Sequence, residues 1–113
     1  MAYDEVLTQR FRAALGDTKG ISEKRMMGGV CFLVNGNMIG GADRSKAGQG
    51  RFMFRVGKEN ADTAASLPGA QQMIQGGQKM SGFFFVDEEV CSEDVMSVWL
   101  DLAVQHAMAL PPK

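Results

Sequence analysis

The chain is poor in the residues that build metal sites and disulfide frameworks. Its 113 residues include two cysteines, Cys31 and Cys91, and one histidine, His106. A tetrahedral zinc site needs about four nitrogen, sulfur or oxygen ligands at short spacings. A disulfide-stabilised domain of this size needs several cysteine pairs. We therefore expect no metal site, and free thiols of the kind found in a reducing compartment.

The sequence also lacks long apolar runs and a basic N-terminal segment. The longest apolar run, Val30–Val34, is far shorter than the roughly 20 residues that span a bilayer. The first charged residues, Asp4 and Glu5, are acidic, whereas a signal peptide begins with basic residues followed by an apolar segment. We expect a cytoplasmic protein without a membrane segment, formed by one domain over residues 1–113.

Helix and strand signals alternate along the chain, with short polar breaks between them. Apolar residues recur at helical spacing at both ends, and runs with alternating polarity lie between them. Asp43–Gly50 is polar and glycine-rich, which is typical of a surface loop. The predicted elements are a helix over 3–15, strands on both sides of Asn35-Gly36, a strand over Arg51–Val56, a helix over Lys58–Leu67, strands over Gln72–Gln75 and Gly82–Asp87, and a helix over about 93–109.

The strongest local signal is Asn35-Gly36, which lies between two apolar runs. A two-residue type I′ turn needs positive φ at both central residues, and asparagine followed by glycine tolerates this best. The sequence therefore predicts a β-hairpin centred on this pair.

These elements predict an α+β fold. The order α-β-β-β-α-β-β-α indicates a two-layer domain with a mostly antiparallel five-stranded sheet and helices on one face. The strands carry apolar residues on both faces, including Leu33 and Met53 on the face without helices. We expect a homodimer to bury that second face, with a protein or small-molecule partner as the alternative.

Four segments together resemble the TfoX/Sxy N-terminal domain family over nearly the whole chain. The segments are Glu23–Gly29, Asn35–Met38, Arg51–Gly57 and Leu110–Lys113. The residues that carry the family motif are Lys24, Arg25, Met26, Gly28, Gly29, Asn35, Gly36 and Met38.

The resemblance implies an α+β domain with a regulatory or protein-interaction role. In the bacterial competence regulators of this family, the domain is joined to a helical C-terminal domain. Those regulators are transcriptional co-activators of DNA-uptake genes that work with a cyclic-AMP receptor protein. This chain ends at Lys113, so we expect a stand-alone TfoX-like domain.

Charge is distributed unevenly along the chain although its formal net charge is −1. Residues 19–58 hold eight basic and two acidic side chains, whereas residues 59–113 hold two basic and eight acidic ones. One interpretation is a basic interaction patch for an acidic partner or a nucleic acid; the other is mutual neutralisation within the fold. Direct nucleic-acid binding is disfavoured by the isoelectric point of 5.8 and the lack of a helix-turn-helix. The predicted patch consists of Arg44, Lys46, Arg51, Met53 and Arg55.

No set of catalytic residues stands out, so we expect a non-enzymatic protein without a cofactor. A phosphate-binding glycine loop follows a strand and precedes a helix, and neither Gly28-Gly29 nor Gly40-Gly41 does. Cys91 is the best thiol candidate, because a helix N-terminus can lower a thiol pKa, although acidic neighbours oppose this. His106 fits a packed position on the last helix. The alternative function is a small-molecule or enzymatic site with a glycine floor and two arginines, Arg25 and Arg55.

Overall fold

A computed structural model describes residues 4–26 and 29–112, apart from the side chains of Met26 and Gln75. Within these residues it contains six strands, three α-helices and one 3₁₀ turn. The elements are α1 (Glu5–Leu15), β1 (Ile21–Met26), β2 (Gly29–Val34), β3 (Asn37–Arg44), β4 (Gly50–Arg55), the 3₁₀ turn (Lys58–Asn60), α2 (Ala61–Ala65), β5 (Gln71–Gln75), β6 (Gln78–Asp87) and α3 (Glu93–Ala109).

The strands form one antiparallel sheet in the order β1-β2-β3-β4-β6-β5. The predicted α+β class is confirmed, but the predicted five strands and element order are wrong. The missing strand is β1, which is polar and lies at the edge of the sheet, so it lacks the apolar alternation of a half-buried strand. In addition, β6 rather than β5 pairs with β4, and β5 lies at the other edge of the sheet. Local sequence patterns do not specify this strand order.

Both long helices pack on the same face of the sheet, where aromatic side chains fill the interface. Phe11 of α1 stacks on Phe32 of β2 and Phe54 of β4, with ring centroids 4.7 and 5.7 Å apart. Phe54 in turn stacks on Trp99 of α3 at 5.3 Å. Because these rings are fully buried, the hydrophobic core lies between the helices and one face of the sheet.

The helix ends follow from the residues placed there. The Asp4 carboxylate accepts a hydrogen bond from the Leu7 N–H at 3.0 Å, so α1 begins at Glu5; residue 3 of the predicted range lies outside the described residues. Ser92 caps α3 in the same way through the Val95 N–H, and the predicted range 93–109 is confirmed. The predicted helix over Lys58–Leu67 is shorter and divides into the 3₁₀ turn and α2.

The Asn35-Gly36 turn joins β2 to β3 as predicted. Both residues have positive φ, 53° and 82°, which is the type I′ conformation. The Asn35 N–H also donates to the Gly20 carbonyl at 3.0 Å, so the loop before β1 supports this turn.

Candidate functional site

The sheet face opposite the helices is the most distinctive surface of the molecule, and we call it the open face. On β4, Phe52 and Phe54 point into the core, so Arg51, Met53 and Arg55 alternate onto the other side. The open face includes Lys24, Cys31, Leu33, Met38, Gly41, Asp43, Arg51, Met53, Arg55, Phe83, Phe85 and Asp87, so Leu33 and Met53 share the face predicted for them.

A groove of about 520 Å³ crosses the open face. Its floor is the row formed by Cys31, Gly41, Met53 and Phe85, which pair in register across β2, β3, β4 and β6. Gly41 keeps the floor flat, because a β-carbon there would collide with the Val30 carbonyl oxygen. The groove is therefore built mainly of backbone, thioether, thiol and aromatic surface.

The β5–β6 hairpin forms one wall of the groove with Met73, Ile74 and Gly76. The hairpin reaches this position because β6 carries extra residues between its two stretches of pairing with β5. The Gln72 side-chain amide fills the resulting bulge by donating to the carbonyls of Met80 at 2.7 Å and Phe83 at 3.0 Å. These hydrogen bonds fix the wall relative to the floor.

Arg51 forms the polar side of the groove and is held from two directions. Its Nε donates to Asp43 Oδ1 at 2.8 Å and its Nη2 to Asp43 Oδ2 at 3.3 Å. Its guanidinium carbon lies 3.7 Å from the centre of the Phe85 ring, a cation–π geometry. Arg51 is therefore preorganised, and its Nη1 has no acceptor among the described residues.

The predicted patch residues do not form one surface. Arg51, Met53 and Arg55 share the open face, and Lys46 lies at the rim of the groove. Arg44 follows Asp43 on β3 and so points to the helix side, where it pairs with Asp4 at 2.7 Å. The structure thus brings four of the five predicted residues together and places Arg44 elsewhere.

The family-motif residues fall at several places in the fold. Lys24 and Arg25 are exposed on β1, Gly29 begins β2, and Met38 is half-buried on β3. Gly28 and the side chain of Met26 lie outside the described residues. Neither Arg25 nor Arg55 is among the described residues that line the groove, so the groove differs from the alternative pocket predicted with these two arginines.

Two of the motif segments meet through a residue that sequence reasoning missed. Asn37 is buried on β3, and its amide donates to the Pro111 carbonyl at 3.1 Å. This hydrogen bond holds the chain after α3 against the start of β3. No local pattern predicts it, because the partners are 74 positions apart.

The two thiols are poorly suited to reaction. Burial raises the pKa of Cys91 to about 11, although Arg10 acts in the opposite direction. Burial, helped by the Asp43 charge, also raises the pKa of Cys31 in the groove floor. Since the thiolate is the reactive form, these environments disfavour nucleophilic or redox chemistry at neutral pH.

His106 is buried on α3 and pairs with a carboxylate away from the groove. Its Nδ1 lies 2.5 Å from Glu59 Oε2, and this hydrogen bond lowers the pKa of Glu59. The contact ties the 3₁₀ turn to α3. In the described part of the chain, no group of three or more histidine, cysteine or acidic side chains is arranged to hold a metal.

A family model described as the TfoX N-terminal domain matches residues 13–107. The chain belongs to the TfoX N-terminal domain family. The comparisons found no match among curated proteins and none among solved structures. The helices of this TfoX-family domain that the structure describes are too short or too polar to cross a membrane.

Proposed function

We propose that this TfoX-family domain is a non-enzymatic protein-interaction module that acts in the cytoplasm in gene regulation. Its open face binds an acidic, apolar-containing segment of a partner protein. The groove across the open face is the observation that carries this proposal, because it combines an apolar floor with a fixed arginine.

The floor suits apolar side chains of a partner. Met53 and Phe85 are half-buried without a covering helix, and Met73 closes the side of the groove. Methionine side chains adapt to differently shaped partners, which is why they are frequent at versatile binding surfaces. A bound segment would remove this surface from water.

Charge selects an acidic segment. The open face and its rim carry four cations, Lys24, Lys46, Arg51 and Arg55, against the two carboxylates Asp43 and Asp87. Asp43 is engaged by Arg51, whereas Lys46 has no ion-pair partner among residues 4–26 and 29–112. Carboxylates of a partner would therefore be attracted to the rim while its apolar residues enter the groove.

The chemistry of the remaining candidates supports a non-enzymatic role. Cys91 is buried with a raised pKa, and His106 is held by Glu59 outside the groove. A general base or nucleophile needs access to a substrate at hydrogen-bonding distance. Neither group has that access from the groove.

The proposal can be tested by selecting peptides of about twelve residues from a random library on the wild-type protein. Met53→Asp serves for counter-selection, because covering a carboxylate in the floor with an apolar side chain is costly and its charge repels acidic groups. Met108→Asp is the matched control, since Met108 is 53% exposed on α3 outside the groove. We expect the selected peptides to be net acidic with aromatic or aliphatic residues.

Affinity measurements on a selected peptide sharpen the test. Lys46→Glu should weaken binding about tenfold, whereas Lys58→Glu, an equally charge-reversing change away from the groove, should not. A selection that yields basic peptides, or none that depend on Met53, would contradict the proposal. The second result would instead favour a small-molecule site, since the groove volume lies in the range of such sites.

A binding measurement with duplex DNA tests the competing possibility that the basic side chains of the open face bind a nucleic acid. We expect no binding tighter than the non-specific level of about 10⁻⁴ M at physiological salt, because no described helix or strand pair offers base readout. Micromolar binding with a salt slope of about −3 to −4, lost in the double variant Arg51→Glu and Arg55→Glu, would make the domain a direct DNA binder.

A further inference from the structure

The two edges of the sheet differ in how they are protected. An edge strand exposes unpaired backbone N–H and C=O groups, and proteins usually guard such edges with charges or proline. At β1, the exposed residues Glu23, Lys24 and Arg25 provide these charges, and Glu23 forms an ion pair with Arg12. The β1 edge is therefore guarded against pairing with another strand.

The β5 edge has no such protection. Its sequence, Gln71–Gln75, contains neither a charged residue nor a proline, and no residue from Thr63 to Gln78 is charged. Ile74 is 66% exposed on this edge, although isoleucine is usually buried. An uncharged edge with an exposed β-branched residue is suited to adding another strand.

The edge is also held in an extended form. The extra residues of the bulge lie on β6, so β5 continues unbroken from Gln71 to Gln75. The Gln72 amide, bonded to the Met80 and Phe83 carbonyls, anchors β5 to its neighbour. A preformed edge loses little conformational freedom when a further strand pairs with it.

We propose that two copies of this chain pair antiparallel through β5, which joins their sheets into one continuous sheet. A two-fold interface places the same strand opposite itself, so a charge near the centre of the strand lies close to its own copy. The neutral β5 avoids such contacts, whereas β1 carries two adjacent cations, Lys24 and Arg25, and its one carboxylate, Glu23, is already paired with Arg12.

The charges on the open face disfavour a dimer that forms through this face. A two-fold contact there would bring together two surfaces on which cations, including Lys46, Arg51 and Arg55, outnumber carboxylates. Pairing through β5 leaves the floor of the groove accessible for a partner. Ile74 also belongs to the groove wall, but self-association and peptide binding are measured separately, so either proposal can fail without the other.

Sedimentation over about 1–200 µM tests the proposal. The wild-type protein should form a dimer, and both Ile74→Lys and Gln71→Lys should raise the dimer dissociation constant at least about tenfold. Val6→Lys is the matched control, because Val6 is 72% exposed on α1 and the charge change is the same. Circular dichroism verifies that each variant is folded.

Hydrogen exchange provides a second readout on the wild-type protein. The β5 amides should become more protected as concentration rises, while those of β1 should not change. A monomer at all concentrations would overturn the proposal. So would a dimer that is unaffected by Ile74→Lys and Gln71→Lys but lost in Met53→Asp, since that result would assign the interface to the open face.

Discussion

Phe11 anchors α1 to the sheet, and its removal tests whether the helix layer is held as the structure indicates. Its ring is fully buried and stacks on Phe32 and Phe54. Replacing a buried phenylalanine with alanine typically costs about 3–5 kcal/mol, since the lost burial is joined by a cavity that neighbours fill only in part. Native proteins are typically stable by about 5–15 kcal/mol, so Phe11→Ala should remove a large share of the stability of the domain.

Thermal and urea unfolding measure this effect. At about 4 °C per kcal/mol, Phe11→Ala should lower the melting temperature by about 12–20 °C. Phe11→Leu keeps much of the volume and should cost only about 1–2 kcal/mol, while the exposed change Val6→Ala should stay within about 0.5 kcal/mol. A loss below about 1 kcal/mol in Phe11→Ala would refute the packing described.

Two further predictions concern the turn and the response to acid. Gly36→Val should destabilise the fold by about 1–2 kcal/mol or more in thermal melts, because a β-branched residue resists the φ of 82°; an unchanged midpoint would exclude the type I′ turn. The lowered pKa of Glu59, caused mainly by the His106 hydrogen bond, adds stability above its ordinary value of 4.5 that is lost as pH falls through the lowered value. Urea midpoints at about pH 6 and 3.5 should therefore differ less in Glu59→Gln than in the wild type, and equal differences would contradict the contact.

Local signals predicted the features that depend on neighbouring residues. The Asn35-Gly36 turn and the α3 boundaries follow from φ preferences and capping, which act over a few residues. The strand β1 was missed because an exposed edge strand does not need apolar alternation. Its presence depends on pairing with β2, which is a tertiary contact.

The site could be predicted only in part, because the strand geometry decides which residues meet. Arg44 and Arg51 are close in sequence and were expected to share a patch. Since β3 extends through Asp43 to Arg44, adjacent residues there point to opposite faces, and Asp43 pairs with Arg51. The groove wall depends on the bulge in β6, which no short pattern in the sequence specifies.

The most direct test of the proposed binding face uses methionine methyl groups as natural probes in NMR spectra. Met53 and Met73 line the groove, whereas Met96 is buried in the core and Met108 is exposed on α3. Addition of a selected acidic peptide should shift the Met53 and Met73 methyl signals and leave those of Met96 and Met108 unchanged. Shifts centred on Met108, or shifts caused equally by a basic peptide, would contradict the account.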